Sequence, residues 1–230
     1  MAKKVFLGIG HGGSDPGAIG NGFKEADLNL AIGQACNSEL IRHGVQVLMS
    51  RTKDENDPLA EEIKECNAFK PDLAIDIHNN AGGGDGAEAF YHYKGGASKT
   101  LADNVLAEIV KVGQNSRGAK IKKNAQGKDY FGFIRETSSP SIIVECAFVD
   151  NATDIKIIDT AAEQKAMGEA IAKGILKTLG IAYKAPAAPT SAQTTGGKIY
   201  RVQVGAYSVK ANAEAMQKKL KAAGFDAIIV

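Results

Sequence analysis

The chain is short of cysteine. Cys36, Cys66 and Cys146 are an odd count with no C-x-x-C spacing, which excludes a disulfide framework and a thiolate metal cluster. The first two fall on helical patterns, and all three read as small buried hydrophobes. Charge of one sign is also lacking: 28 basic against 26 acidic residues leave a formal +2, too weak a field to gather polyanions, so nucleic acid is not an expected partner. The one basic stretch, 117–128, reads as a solvated face. No apolar run is long enough to span a bilayer. The run Val5-Phe6-Leu7-Gly8-Ile9 follows Lys3 and Lys4 but leads into His11-Gly12-Gly13 rather than a small-residue cleavage site. It is therefore a first strand, and no signal peptide is expected.

What is present is ordinary for a globular chain of one or two domains: 230 residues, 44% hydrophobic and 23% charged. The apolar run 5–10 predicts a strand. Leu28, Ile32 and Ala35 then predict a helix that ends at Gly44. Residues 45–49 read as a second strand. Asp57-Pro58 opens a helix, with Pro at the first helical position and Leu59, Ile63 and Cys66 on one face. Residues 73–77 form a buried strand and 87–93 alternate weakly like another. Ser98 caps a helix carrying Leu101, Val105 and Ile109. Residues 141–148 return to an apolar run, and Met167, Ile171, Ile175 and Leu179 mark a last helix. Strands alternating with helices imply an α/β fold: a mostly parallel twisted sheet with helices on both faces. Sites in such sheets lie beyond the carboxyl ends of the strands.

Four residues stand where these elements meet loops. His11 follows the first strand and His78 follows the strand 73–77, so both imidazoles emerge on one sheet edge. Glu25 lies one turn before Leu28; taken alone, it is a favourable charge at a helix N-terminus. Glu145 sits inside Ile142-Ile143-Val144-Glu145-Cys146-Ala147-Phe148, where a buried carboxylate is costly without a cation or a function. Two imidazoles and two carboxylates suit hydrolytic zinc, which commonly takes two His and one carboxylate and leaves a position for water. The spare acid would shuttle the proton. Gly8-Ile9-Gly10-His11-Gly12-Gly13 also matches the dinucleotide fingerprint, but that motif must open a helix at once. Here Pro16, Gly17, Gly20 and Gly22 keep the chain in loop until about Phe23.

The segment His11-Gly12-Gly13-Ser14-Asp15-Pro16-Gly17-Ala18 is followed by Gly22 and Glu25, Arg51-Thr52-Lys53-Asp54, Asp76-Ile77-His78-Asn79-Asn80, and Val144-Glu145 with Asp150-Asn151. In identity, order and setting these resemble the zinc-dependent N-acetylmuramoyl-L-alanine amidases over about residues 1–182. The resemblance implies one zinc ion held by His11, Glu25 and His78, with Glu145 as the catalytic glutamate. It implies hydrolysis, by a zinc-activated water, of the amide between N-acetylmuramic acid and L-alanine in peptidoglycan. The chain departs from the family at Asp76 and Asn79, where Ser and Ala are frequent, and at Ala147, where Gly is. Asn80, Glu88 and Arg135 are weaker substrate-contact candidates, each with a structural reading that weighs more.

Residues 185–197 change to Ala, Pro, Thr, Ser, Gln and Gly with no apolar period and read as a flexible linker. Beyond it, 200–207 reads as a strand, 209–222 as a helix and 225–230 as a strand, a small βαβ piece with little core of its own. It resembles part of a sporulation-related repeat domain that binds glycan strands. The expected organisation is a catalytic domain at 1–184, the linker at 185–197 and a wall-binding segment at 198–230. The expected partner is peptidoglycan. With no leader, the enzyme would be made in the cytoplasm and reach the wall after lysis or by a separate route, as an endolysin or an autolysin does. Two readings compete: a zinc peptidase or other amidohydrolase on the same scaffold, and a non-catalytic wall-binding protein.

Overall fold

The computed structural model describes residues 2–186, 203–207, 209–222, 225 and 227–229. Two compact units divide the chain, Met1–Lys184 and Ala185–Val230. In chain order the elements are β1 (Lys4–Ile9), a small hairpin of β2 (Ile19–Gly20) and β3 (Phe23–Lys24), α1 (Glu25–Arg42), β4 (Gln46–Met49), α2 (Leu59–Phe69), β5 (Leu73–Asn80), β6 (Ala87–Tyr91), α3 (Ala97–Ile109), β7 (Ser116–Lys120), α4 (Gly132–Glu136), β8 (Ser141–Phe148), α5 (Ala161–Leu179) and α6 (Lys210–Ala222).

Six strands form one sheet in the order β4-β1-β5-β8-β6-β7. The first four run parallel. β6 is antiparallel to β8, and β7 is parallel to β6. The period of two along each strand sorts the core into two layers. Val5, Leu7, Ile9, Ile75, Ile77, Ile142 and Val144 pack with α1, α3 and α5. Phe6, Ala74 and Ile143 face the other way, against Ile63 and Cys66 of α2 and Phe133 and Ile134 of α4. With both faces covered, strand sequences become continuous apolar runs. On the three-helix face α5 comes unusually close to its neighbours at two glycines. A Cβ on Gly168 would lie 2.4 Å from the Ile32 carbonyl oxygen, and one on Gly174 would lie 2.5 Å from Val105 Cα.

Several local expectations are corrected. Pro58 is the N-cap of α2 rather than its first helical residue, with an extended ψ of 132°. That places it before the turn, where its missing N–H still costs nothing. Gly96 stands at the N-cap of α3, and Ser98 lies inside the helix and is buried. His78 lies within β5, which continues to Asn80 because β8 extends alongside it. The basic stretch 117–128 is largely exposed, as expected, and its first residues belong to edge strand β7.

In the second unit, α6 falls where a helix was expected. The described residues 203–207, 225 and 227–229 carry no strand, whereas strands were expected over 200–207 and 225–230. The rest of those stretches, and nearly all of the linker, lie outside the described residues. A lone pair of strands has too few partners to fill its ladder of hydrogen bonds. Among the described residues no helix is long and apolar enough to cross a membrane.

Candidate active site

The site is assembled where β1, β5 and β8 end and α1 begins. Immediately after β1, His11 takes a left-handed φ of 65° and Gly12 and Gly13 also have positive φ. Gly12 and Asp15 then exchange backbone hydrogen bonds of 2.8 and 3.0 Å. This tight turn returns the Asp15 carboxylate to His11 Nδ1 at 2.8 Å, leaving Nε2 facing inward. Arg51, buried at the end of β4, ties the turn down. Its guanidinium donates to the carbonyls of Ile9, Gly10, Ala26 and Lys53 at 3.0, 3.3, 2.7 and 3.1 Å.

Glu25 is the first residue of α1 and is buried. One carboxylate oxygen accepts from Ala18 N at 2.9 Å and lies 3.2 Å from His11 Nε2. The other lies 2.9 Å from His78 Nδ1 and accepts from Asn79 N at 3.1 Å. Beneath it, Asn29 donates to the Gly10 carbonyl at 3.0 Å and accepts from Asn79 Nδ2 at 2.8 Å. The His11, Glu25 and His78 ligand atoms all lie within 4.8 Å of one another.

Glycine makes the room. A Cβ on Gly10 would lie 2.2 to 2.6 Å from three His78 ring atoms, and one on Gly17 would lie 2.6 Å from both Glu25 Oε2 and His11 Cδ2. One on Gly8 would lie 2.0 Å from Glu62 Oε1 and 2.9 Å from Asp76 Oδ1. The spaced glycines that imitate a nucleotide fingerprint therefore clear β1 for side chains of its neighbours.

Glu145 is the register partner of His78 across β5 and β8, and of Glu88 across β8 and β6. Its Oε2 is buried without a hydrogen-bond partner among the described residues. Burial, with Glu25, Asp76 and Glu88 adding like charge, raises its pKa to about 7, against the opposing charge of His78. The bonds from His11 and His78 hold the Glu25 carboxyl far below its usual range, although burial works the other way. His11 is raised first by its bond to Glu25. His78 is raised by Asp76 and Glu25 against burial.

A cleft of about 560 Å³ opens beside the two imidazoles, lined among others by Asp15, Asp57, Leu59, Glu62 and Phe131. The weaker candidates are engaged in the protein itself. Asn80 donates to Glu88, Glu88 pairs with Arg117 and Lys120, and Arg135 donates to the carbonyls of Asp129 and Tyr130. Sequence reasoning gave no role to Asn29, although it lies one turn after Glu25. It noted Asp76 only as a departure, although Asp76 shares a strand face with His78.

Two inward nitrogens and a carboxylate with one side open are a donor set that suits zinc, and the orphaned Glu145 oxygen points to a group not made of protein. A closed structural site would use four protein ligands.

Known proteins share this sequence pattern and this fold. The profile of the N-acetylmuramoyl-L-alanine amidase family, which is zinc-dependent, matches residues 5–177. A SPOR domain profile matches residues 169–230. That second match begins inside α5, but Ile171, Ile175 and Leu176 pack in the core of the first unit. The sporulation-specific N-acetylmuramoyl-L-alanine amidase of Bacillus subtilis is 32% identical over 231 residues, 99% of this chain and 84% of that one. Among solved structures, Cwp6 from Clostridium difficile superposes with a TM-score of 0.77 at 37% identity, covering 78% of this chain and 30% of that one. The catalytic domain of the amidase CwlV from Bacillus (Paenibacillus) polymyxa gives 0.71 at 27% identity, covering 78% and 99%. The chain belongs to the N-acetylmuramoyl-L-alanine amidase family, and it is an amidase of peptidoglycan that acts at the cell wall.

Proposed function

We propose that His11 through Nε2, Glu25 through its carboxylate and His78 through Nδ1 hold one zinc ion, and that Glu145 is the general base and acid. The observation that carries this reading is the convergence of those three donors within 4.8 Å, with an unpartnered carboxylate oxygen on the residue in register with His78. When bound, zinc polarises the scissile carbonyl and makes water acidic enough to attack near neutrality. Glu145 takes the proton of the attacking water and delivers it to the nitrogen that leaves with L-alanine. Burial raises the proton affinity of this carboxyl in the metal-free site, which favours a group that must take up a proton and give it back. Asp15 holds His11 by its outer nitrogen, and Arg51 fixes the turn that carries it. Digestion of purified peptidoglycan should release new L-alanine amino termini and no others. New termini at any other stem-peptide residue would assign a peptidase on the same scaffold.

We further propose that residues 1–184 are the catalytic domain, 185–197 a linker and 198–230 a wall-binding segment. The proposed ligands and base all precede the break between the two units, and the SPOR match reaches the end of the chain. A flexible tether raises the local concentration of the catalytic unit at the wall without adding contacts to the site. The 1–184 truncation should therefore turn over a soluble muramyl peptide at the rate of the full chain and sediment less with intact wall. A folded but inactive truncation would show that the tail helps build the site.

A further inference from the structure

The His78 ring stands between two carboxylates. Its Nδ1 faces Glu25 Oε1 at 2.9 Å, and its Nε2 lies 3.2 Å from Asp76 Oδ2. Asp76 sits two residues earlier on the same face of β5 and is buried. Packing alone does not ask for a carboxylate there. Its Oδ1 has no hydrogen-bond partner among the described residues, and neither does Glu62 Oε1. Both crowd the bare surface of Gly8, at 2.9 and 2.0 Å from where a Cβ would stand. Burying a carboxylate with one oxygen unsatisfied and a like group beside it is expensive. An apolar or hydroxyl side chain at position 76 would avoid that cost.

We propose that Asp76 is a positioning residue for the metal centre, an inference that rests on the zinc reading above. Accepting the Nε2–H of His78 fixes the tautomer that leaves the Nδ1 lone pair turned toward Glu25 and His11. The negative charge also makes that nitrogen a stronger ligand, and the bond stops the ring rotating about χ2. His11 carries the matching arrangement, Asp15 on its outer Nδ1, so each imidazole is backed by a carboxylate on the nitrogen away from Glu25. The two differ in setting. The Asp15 side chain is 65% exposed and that of Asp76 only 4%. Water screens and competes for the first bond and not for the second, so Asp76 dominates.

The test uses the full chain, stripped with chelator and titrated with zinc against a chromophoric competitor, and separately loaded with cobalt(II) to read its visible d–d bands. Asp76→Ala should weaken zinc binding about 10- to 100-fold and alter the cobalt spectrum. Asp76→Asn keeps an oxygen acceptor and loses the charge, so it should fall between wild type and Asp76→Ala. Asp15→Asn should have the smallest effect. Thermal melts of the stripped proteins check folding. A folded Asp76→Ala protein with wild-type zinc affinity and an unchanged cobalt spectrum would overturn the proposal. Should Asp76→Ala not fold, the same two wild-type results from Asp76→Asn would overturn it. Failure of the wild-type chain itself to take up zinc would instead overturn the zinc reading on which the inference rests.

Discussion

Replacing Glu145 by Gln is expected to leave the fold and the zinc content intact while lowering amide turnover about 10²- to 10⁴-fold, the usual contribution of general acid–base catalysis. Gln has nearly the same shape and can still occupy the space beside His78 in the β5–β8 register. It can neither take a proton from water nor return one to the departing nitrogen. The measurement is kcat on a soluble muramyl peptide, with zinc determined on the same sample. Near wild-type turnover by a folded, zinc-loaded Glu145→Gln protein would remove Glu145 from the mechanism.

The same substitution should have the opposite effect on stability once zinc is stripped away. The Glu145 carboxyl is raised from an ordinary 4.5 to about 7, first by burial. The folded state therefore holds that proton more tightly than the unfolded state. Its contribution is complete below pH 4.5 and is lost as the pH rises toward 7. A shift of that size corresponds to roughly 3 kcal/mol, taking about 1.36 kcal/mol per pKa unit. Denaturant melts of the two stripped proteins should coincide near pH 4.5 and diverge by pH 8, with Glu145→Gln the more stable. Catalysis and stability thus pull apart at one residue, as expected where a fold carries a charge for function.

How much of this was legible in the sequence depends on what kind of burial each segment has. The run 141–148 matches β8 residue for residue, because a strand covered on both faces shows an unbroken apolar sequence. β7, Ser-Arg-Gly-Ala-Lys, is an edge strand with exposed and polar positions and a Gly118 φ of 85°, so no periodicity marks it. α4 is only five residues long, too short to show a helical period. Glu25 alone read as an ordinary charge at a helix N-terminus, but the other three proposed site residues were visible as misfits: a carboxylate in an apolar run, and imidazoles at expected strand ends. Their supports were not. Asn29 and Asn79 meet across 50 positions, and the space that Gly8 and Gly10 provide belongs to Asp76 and His78 on a different strand. A single sequence shows such glycines only as a turn motif, which is why they imitate a nucleotide loop.

The second large effect is expected in the metal content itself. The His11→Ala, His78→Ala double variant removes both imidazoles from a site of three protein donors. One carboxylate at an otherwise open position cannot hold zinc against a chelator, so elemental analysis after dialysis should find less than one zinc per ten chains, as an order of magnitude. Stoichiometric zinc in that variant would overturn the ligand assignment. Gly10→Ala should approach the same result without touching a ligand. The added methyl would need the space of His78 Cε1 and Nε2, at 2.2 and 2.4 Å. The ring cannot swing aside freely, because Glu25 and Asp76 hold it from two sides. Either β1 moves away from β5, breaking ladder bonds beside Ile9 and Ile77, or His78 leaves the position where its Nδ1 meets the other donors. Overpacking of this kind typically costs about 1–3 kcal/mol, little enough for a core of this size to stay folded, so the loss should appear in zinc affinity before it appears in the melting temperature. A Gly10→Ala protein that binds zinc as tightly as wild type would show that the strand, not the ring, gives way.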